Sequence, residues 1–348
     1  MNIGFLVNDV ALEKPVFTTV RLAMTAHNRG DQAWLISLAD LTYQPDGTLL
    51  AKAWRGKLNR HYRSQKLYLD DMRAERDGFH WIELASLDAL LLRNNPADDA
   101  IKRPWAVGMG IMFGRMLAEQ GVFVANNPHG LSMAMNKLYL ERFPTEIRPR
   151  TLVSRDKGQI KDFVRAEGGL AILKPLAGSG GSGVFVVRPN ETGNINQIVE
   201  SISRDGYIIA QEYIPAAAEG DIRLFLINGK PLRHKGQYAA FKRVRAADDI
   251  RNNLHSGGEL VAAGISPEHL WVADQVGPVL AADGMFLVGL DIAGDKVIEI
   301  NIFTPGGLGS AQKVTGVSFT QPVLDSIQQQ VNALRSTKLS HASEPGTR

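Results

Sequence analysis

The chain has 348 residues, of which 44% are hydrophobic and 22% are charged, and its formal net charge is only +3. This composition is typical of a globular protein with two domains or one elaborated α/β unit. So small a net positive charge does not by itself indicate a nucleic-acid-binding surface. The complete absence of cysteine excludes disulfides, thiolate nucleophiles and metal sites with cysteine ligands.

The start of the chain predicts neither a signal peptide nor a membrane span. The opening MNIGFLVNDV has no basic region and no small-residue cleavage site, and no apolar run reaches the ~18 residues of a transmembrane helix. We therefore expect a cytoplasmic protein without a membrane partner. The eight histidines are scattered without a metal-ligand spacing, so surface or core positions are expected for them.

The first third of the chain alternates predicted strands with predicted helices. In chain order these are a strand over 1–7, a helix over 18–29, strands over 33–38 and 87–92, a helix over 107–120 and a strand over 122–125. This alternation is typical of a parallel α/β domain, in which ligands bind at the carboxyl ends of strands. The polar ends 8–9, 93–95 and 126–127 are therefore site candidates, with ordinary turn formation as the alternative.

Beyond residue 149 the pattern changes to short strands, hairpins and helices. Strands are predicted over 151–154, 171–173, 184–187, 208–213, 223–227, 287–292 and 296–302, and helices over 157–167 and 195–203. Asn228-Gly229 between two apolar runs is a strong hairpin signal. We expect an α+β unit with antiparallel sheets, followed by a polar, frayed tail from Ser336.

A glycine-rich loop follows the strand that contains Lys174. Its sequence, Gly178-Ser179-Gly180-Gly181-Ser182-Gly183, matches GxGxxG, but a strand rather than a helix follows it, which excludes a Rossmann site. Val184 stands where a Walker A loop has lysine, so that motif is excluded too. A glycine hairpin beside a lysine can bring N–H groups and an ammonium to phosphate oxygens. The alternative is a flexible surface hairpin.

A second candidate site lies on the predicted hairpin FLVGLDIAGDKVIEINIFTPGG. Glu299 and Asn301 are two residues apart on one strand and share a face. A two-residue turn at Gly294-Asp295 would put Asp291 on the opposite face from Glu299, whereas a three-residue turn would put the two carboxylates directly across from each other. Opposed carboxylates need a cation, and Mg²⁺ is the natural candidate. An ordinary surface aspartate is the alternative.

Several segments carry a family resemblance when they are taken together. They are ILKPLAGSGGSGVFVV, AQEYIPAAAEGDIRLFLINGKPL, IRNNLHSGGEL and VGLDIAGDKVIEINIFTPGG, supported by DALLLRNNP, NNPHGLSMAMNKLYL and RPRTLVSRDKGQIKDF. From the first strand to about residue 330 the chain resembles the ATP-grasp superfamily, specifically bacterial glutathione synthetase. The resemblance implies an α/β and α+β protein of ATP-grasp fold. Its parts would be an N-terminal parallel α/β domain over 1–125, a lid subdomain with the glycine flap over 126–205, a C-terminal antiparallel-sheet subdomain over 206–335 and a flexible tail over 336–348.

The resemblance also implies site residues for ATP, metal and the reacting groups. Two lysines, the flap, an adenine hinge and an aspartate for the ribose or a polar network would bind ATP: Lys137, Lys174, Gly178, Ser179, Gly180, Gly181, Ser182, Gly183, Gln211, Glu212, Tyr213, Ile214 and Asp221. Two Mg²⁺ ions, with Mn²⁺ as a substitute, would be held by Asp291, Glu299 and Asn301. Arg223 would lie near the phosphates, and Arg251 and Asn253 would stabilise an acyl phosphate.

The match weakens where substrates would be recognised. Family members typically continue after the metal-binding asparagine with a Thr-Ser-Pro-Thr-Cys-like stretch, whereas this chain has Phe-Thr-Pro-Gly-Gly-Leu. Gly306 and Gly307 would offer N–H groups to a substrate carboxylate or simply make a turn. The basic run 242–245 would bind an anionic substrate or form a solvated loop. Arg93 is a candidate for holding the carboxylate of the acid substrate.

The implied reaction is an ATP- and Mg²⁺-dependent ligation of a carboxylate to an amine through an acyl phosphate. In the family the acid is γ-glutamylcysteine and the amine is glycine, and glutathione, ADP and phosphate are released. The partners would be small-molecule or peptide substrates, without nucleic acid, and family precedent implies a homo-oligomer. Two alternatives stay open: a related ligase that joins an amino acid to a different peptide or small acid, and a non-catalytic ATP-binding regulatory protein.

Overall fold

A computed structural model of the chain describes residues 1–74, 78–178, 183–189, 194–204, 206–244 and 259–342. Its N-terminal part alternates strands and helices. The elements are β1 (Asn2–Val7), α1 (Thr18–Asn28), β2 (Gln32–Tyr43), β3 (Leu49–Trp54), α2 (Gln65–Ala74), β4 (His80–Glu83), β5 (Ala89–Leu92), α3 (Pro96–Asp99), α4 (Met109–Glu119) and β6 (Phe123–Ala125).

These strands form one sheet in the order β4-β3-β2-β1-β5-β6. The pairings of β1 with β2 and β5, and of β5 with β6, are parallel, which confirms the predicted parallel α/β domain. Strands β3 and β4 add an antiparallel edge that the sequence pattern did not predict. β3 alternates buried and half-buried residues over only six positions, which is a weak strand signal.

The next part of the chain, where the lid is expected, contains a second sheet that we call the lid sheet. Its elements are α5 (Pro128–Met133), β7 (Thr151–Ser154), α6 (Lys157–Ala166), β8 (Ala171–Pro175), β9 (Phe185–Val187), α7 (Ile195–Ser203) and β10 (Ile208–Glu212). The sheet order is β7-β10-β8-β9, with antiparallel pairing throughout. Because β10 lies in the middle of this sheet, the sheet includes a strand beyond residue 205, where the predicted lid ends. Pairing between distant segments decides such a boundary, and local sequence does not reveal it.

The C-terminal part contains a second antiparallel sheet. Its elements are β11 (Asp221–Ile227), β12 (Lys230–Pro231), β13 (Arg233–His234), β14 (Gln237–Tyr238), β15 (Ala240–Val244), β16 (Glu259–Val261), α8 (Pro267–Ala282), β17 (Leu287–Ala293), β18 (Lys296–Asn301), α9 (Leu308–Thr315) and α10 (Thr320–Ala342). The described strands run in the order β16-β15-β11-β17-β18, and β12 pairs with β11. The predicted turn at Asn228-Gly229 is confirmed, since both residues have positive φ and Ile227 pairs with Lys230.

Helix α10 runs to Ala342, so residues 336–342 continue a helix and the tail predicted from Ser336 is wrong over that stretch. No glycine or proline occurs between Pro322, in the first turn of the helix, and Pro345, and packing of Val323, Leu324 and Ile327 in the core anchors the helix at its start. Residues 343–348 lie outside the described part of the chain. Among the described helices, α10 included, none combines the length and the apolar character that a membrane span requires.

The side chain of Asn126, directly after β6, joins the N-terminal sheet to the C-terminal sheet. Its amide nitrogen donates to the backbone oxygens of Leu287 at 3.1 Å and Ile302 at 2.5 Å, and its oxygen accepts from the N–H of Leu287 at 2.8 Å. Apolar residues of both sheets, such as Leu90 and Leu290, share one core beneath this contact. The carboxyl end of the parallel sheet is thus fixed against β17 and the residue that follows β18.

Candidate active site

A cavity of about 210 Å³ lies between the lid sheet and the hairpin of β17 and β18. The strand alternation explains what lines it, because Leu173 and Ala210 point into the lid core while their neighbours point the other way. The structure brings six of the predicted site residues together on its wall. They are Lys137, Lys174, Gly178, Gln211, Glu299 and Asn301.

Two lysines point toward the same part of this cavity. Lys174 donates to the side-chain oxygen of Gln211 at 2.9 Å, and Lys137 donates to the backbone oxygens of Pro175 at 3.2 Å and Gly178 at 2.8 Å. Burial lowers the pKa of Lys174 to about 8, against the opposing effect of the Glu299 carboxylate. Burial also lowers the pKa of Lys137, and Glu299 opposes that shift too. Two ammonium groups and one carboxylate therefore share a partly desolvated space.

A buried ion network lies behind Glu299. Arg223 contacts Asp291 through two guanidinium nitrogens, one of them at 2.8 Å, and Arg243 reaches Asp291 at 2.8 Å. Arg243 also pairs with Asp221, its Nε lying 3.0 Å from one carboxylate oxygen. Although burial opposes it, the two guanidinium groups hold the pKa of Asp291 below its usual range. Burial and the charge of Asp291 raise the pKa of Asp221, which belongs to this network and not to the wall of the cavity.

Asp291 and Glu299 are directly opposite each other, but not through the three-residue turn. Ala293 pairs with Lys296, which gives a two-residue turn at Gly294-Asp295, and a register shift beyond Ile292 then brings Asp291 opposite Glu299. A β-bulge adds one residue to β18, and this extra residue restores the alignment that the short turn alone would have lost.

The donor set on this hairpin fits Mg²⁺. Carboxylate and amide oxygens are the ligands that Mg²⁺ prefers, and within the described ranges the carboxylate of Glu299 makes no hydrogen bond or ion pair. Asn301 lies on the same wall, with its amide nitrogen 3.2 Å from Asp291. Among the described residues there is no cluster of three histidine, cysteine or acidic side chains suited to a metal. Of the three predicted ligands, Glu299 and Asn301 line the cavity, whereas Asp291 is buried. The carboxylate of Asp291 is shared with two guanidinium groups.

The loop that follows Asn301 is held by side chains from both halves of the chain. Arg93, which is buried, donates to the hydroxyl of Thr19 at 3.2 Å and to the backbone oxygen of Pro305 at 3.0 Å. Arg223 donates to the backbone oxygen of Gly306 at 3.1 Å. Arg93 therefore lies beside the predicted substrate loop.

Gly307 serves as a turn residue in this loop. Its N–H is donated to the hydroxyl of Thr18 at 3.1 Å, its φ is +109°, and a Cβ there would lie 2.6 Å from the ring of Phe241. Of the two roles predicted for this glycine, the structure favours the turn, because the N–H is already bonded within the protein.

Other predicted site residues lie away from the cavity wall or outside the described chain. Glu212 pairs with Arg150 at 3.2 Å, and neither it nor its neighbours Tyr213 and Ile214 are among the residues lining the cavity. Gly183, at the far end of the flap, is likewise not on that wall. The residues that lie outside the described ranges are Ser179, Gly180, Gly181, Ser182, Arg251 and Asn253.

The polar strand ends serve mainly as structural contacts. Asn8 donates to the backbone oxygen of Asn95 at 2.9 Å and to Asp99 at 2.7 Å, and Asn127 caps helix α5. Asn126 is bonded to the C-terminal sheet. Asn8, Asn126 and Asn127 therefore make structural contacts, which agrees best with the alternative that such strand ends form turns. Asn95 is the exception, since it also lines the cavity.

Sequence reasoning missed Arg243. The basic run 242–245 was interpreted as an anion site or a solvated loop, but Arg243 is only 16% exposed and bonded to two carboxylates. On β15 it shares a face with Phe241, whose side chain is buried, and it is the direct partner of Asp221 on β11. The alternation was a usable signal for burial, whereas its acidic partners depend on a strand pairing that the local sequence does not contain.

Comparisons with known proteins cover nearly the whole chain. The model of the prokaryotic glutathione synthetase N-terminal domain matches residues 1–132, and the model of the ATP-grasp domain of the same family matches residues 136–316. The chain is 30% identical to a glutathione synthetase of Shewanella oneidensis, over 92% of this chain and 95% of that protein. It is 34% identical to one of Vibrio vulnificus, over 72% and 76% of the two chains.

Solved structures show the same fold at low sequence identity. The ATP-grasp ligase PsnB, in complex with a minimal precursor, Mg and ADP, is similar with a TM-score of 0.58 and 18% identity, over 95% of this chain and 98% of that one. This likeness shows the ATP-grasp fold, which agrees with the fold expected from the sequence. The lid sheet, the C-terminal sheet and the cavity between them are its parts in this chain.

Proposed function

The chain belongs to the prokaryotic glutathione synthetase family, and from this premise we propose that it joins the carboxylate of γ-glutamylcysteine to the amine of glycine. It is an ATP-dependent carboxylate–amine ligase of ATP-grasp fold. The observation that carries the proposal is the convergence of Lys137, Lys174 and Glu299, from three separate segments, on one cavity. These charges suit a nucleotide triphosphate and its metal.

The chemistry requires activation of the carboxylate, because its oxygen is a poor leaving group. Transfer of the γ-phosphoryl group of ATP to that oxygen makes an acyl phosphate, and attack by the amine then releases phosphate. We assign Lys137 and Lys174 to the phosphate groups of ATP, where their charges would stabilise the transferring phosphoryl group. The contact of Lys137 with the backbone of Gly178 links that lysine to the start of the flap, whose closure would keep water from the acyl phosphate.

ATP-grasp ligases use ATP with Mg²⁺, and we propose that Asp291, Glu299 and Asn301 would hold two such ions in this chain. Mg²⁺, when bound, neutralises charge on the phosphate oxygens and orients them. We propose that Arg223, which pairs with Asp291, contributes positive charge near the same phosphate groups. The roles of Arg251 and Asn253 at the acyl phosphate, and of the backbone at 212–214 in holding adenine, remain part of the proposal.

We also propose a division of the chain into an N-terminal domain over 1–125, a lid that begins at 126 and includes β10, and a C-terminal subdomain that follows the lid and ends with helix α10. The family resemblance supports a homo-oligomer that works in the cytoplasm. Its partners would be the two small substrates.

The test is release of ADP from Mg-ATP, with γ-glutamylcysteine and glycine supplied singly and together. We expect release only when both are present, with the tripeptide identified by mass. Absence of release with this pair, together with release for another acid and amine, would overturn the substrate assignment and keep the ligase. Tight ATP binding without turnover across a panel of acids and amines would favour the regulatory alternative.

A further inference from the structure

Glu13 holds a buried carboxylate oxygen that the described residues leave unsatisfied. Its Oε2 is shielded from solvent and has no hydrogen-bond partner among the described residues. The backbone around it is fixed, because Arg73 donates to the backbone oxygens of Val10 and Glu13, both at 2.6 Å. A buried acceptor without a donor is unfavourable, so this oxygen is suited to accept a hydrogen bond from a bound ligand.

The charges of two guanidinium groups act on the carboxylate of Glu13, but neither group pairs with it. Burial raises the pKa of Glu13 to about 7, and the charges of Arg93 and Arg73 act in the opposite direction. In the described part of the chain no ion pair of Glu13 within 4 Å is found. A purely structural acid would be expected to close onto one of these arginines, whereas here the charges stand apart.

Arg93 connects Glu13 to the substrate loop. Its Nε and Nη2 are bonded to Thr19 and to the backbone oxygen of Pro305, and its Nη1 has no partner among the residues that the structure describes. Thr19 lies in the first turn of α1, whose N-cap residue, Phe17, offers no side-chain cap. An unbonded guanidinium nitrogen and the positive end of a helix thus lie together, and both favour a carboxylate.

We propose that Glu13 and Arg93 bind the amino-acid end of the acid substrate, with Glu13 accepting its α-ammonium group and Arg93 holding its α-carboxylate. The inference rests on the proposed function, since γ-glutamylcysteine carries this zwitterion at the end remote from the reacting carboxylate. Separated opposite charges match a zwitterion, because each charge of the ligand finds its counterpart. An acid without the ammonium group would leave Glu13 unsatisfied and facing no cation, and would therefore be rejected.

The experiment compares three acid substrates at saturating Mg-ATP and glycine. They are γ-glutamylcysteine, glutarylcysteine, which lacks the α-ammonium group, and 4-aminobutyrylcysteine, which lacks the α-carboxylate. For the unmodified protein we expect kcat/KM to fall by about 100-fold or more for each truncated acid, as for a site that leaves polar groups unpaired. In Glu13→Gln, which keeps the shape of the side chain, we expect the preference for γ-glutamylcysteine over glutarylcysteine to shrink to about tenfold or less. The preference over 4-aminobutyrylcysteine and the KM for ATP should not change.

Glu83→Gln is the matched control, because Glu83 is an exposed glutamate of the same domain, and it should keep both preferences. Turnover of γ-glutamylcysteine by the unmodified protein with equal use of glutarylcysteine would overturn the role of Glu13 and leave the proposed function standing. Equal use of 4-aminobutyrylcysteine would overturn the role of Arg93 in the same way. Absence of turnover with γ-glutamylcysteine would overturn both the proposed function and this inference.

Discussion

Arg223 on β11 and Asp291 on β17 are direct partners across the C-terminal sheet and form a two-point ion pair. Arg243 extends this pair to Asp221, so that two acids and two arginines alternate through a nearly dry region of the sheet. Such a network is stabilising only when each member is satisfied. Here it fixes the carboxylate of Asp291 directly opposite Glu299.

We expect Asp291→Asn to lower the free energy of unfolding by about 3–5 kcal/mol, because it leaves two buried guanidinium groups with only one carboxylate. Urea unfolding at neutral pH, without ATP, measures the change. Asp295→Asn in the exposed turn of the same hairpin is the control and should stay within about 0.5 kcal/mol of the unmodified protein. An Asp291→Asn protein that unfolds at the original urea concentration would show that the network contributes little.

Glu299→Gln should abolish turnover and leave the fold intact. The substitution keeps the size of the side chain but removes the charge that faces Lys137 and Lys174, and loss of one preorganised charge contact reduces kcat by about 100-fold or more. ADP release measures the activity, and thermal unfolding measures the stability. Glu119→Gln, at the exposed end of α4, should keep full activity. Near-normal ligation by Glu299→Gln would remove this residue from the metal site.

The elements that the sequence predicted with correct boundaries are those determined by residues that are neighbours in the chain. The turn at Asn228-Gly229, the helix over 195–203 and the strand over 151–154 agree with the structure at their boundaries. The motif resemblance supplied Lys137 and Lys174, and the structure brings them to one cavity. These features depend on residues that are close in sequence, or on a pattern shared with relatives.

Features that depend on pairing between distant segments could not be predicted from the local sequence. A three-residue turn was the alternative that predicted the opposition of Asp291 and Glu299, but the structure reaches it through a two-residue turn and a β-bulge, which turn length alone does not predict. Arg243 became a network residue only through its register with Asp221. The unsatisfied oxygen of Glu13 is a property of three-dimensional packing and leaves no sequence pattern.

The low pKa of Lys174 predicts that ATP affinity depends on pH. Burial lowers this pKa to about 8 in the ligand-free protein, and the phosphates of ATP bind the protonated form. Above pH 8 the lysine must take up a proton on binding, so affinity should fall by up to about tenfold per pH unit. Calorimetry of Mg-ATP binding between pH 7 and 9.5 measures the slope.

Lys174→Arg tests the assignment, since a guanidinium stays protonated over this range. Whatever the affinity of Lys174→Arg for Mg-ATP at pH 7, this affinity should no longer fall as the pH rises above 8. Lys157→Arg, on an exposed part of α6, is the control and should keep the fall in affinity. An unmodified protein with constant affinity from pH 7 to 9.5 would contradict the assignment of Lys174 to the phosphates. A Lys174→Arg protein with an unchanged slope would assign the titration to another group.

The buried contact of Asn126 should be a large contribution to stability, because its amide satisfies three backbone groups of Leu287 and Ile302 at once. We expect Asn126→Ala to lower the free energy of unfolding by at least about 2 kcal/mol, since Leu287 and Ile302 would be left with unsatisfied polar atoms away from water. Urea unfolding measures the loss, and Asn332→Ala on the exposed side of α10 should change it by less than about 0.5 kcal/mol.

Asn126→Asp separates the hydrogen bonds from the packing. It keeps the shape of the side chain and an acceptor for the N–H of Leu287, but it replaces the donor to two backbone oxygens with a second oxygen. Because oxygen would then face oxygen in a dry region, we expect Asn126→Asp to be destabilised at neutral pH at least as strongly as Asn126→Ala. Lowering the pH should restore part of the loss, since a protonated carboxyl can donate again. An Asn126→Asp protein as stable as the original would show that packing alone, and not the amide donor, joins the two sheets.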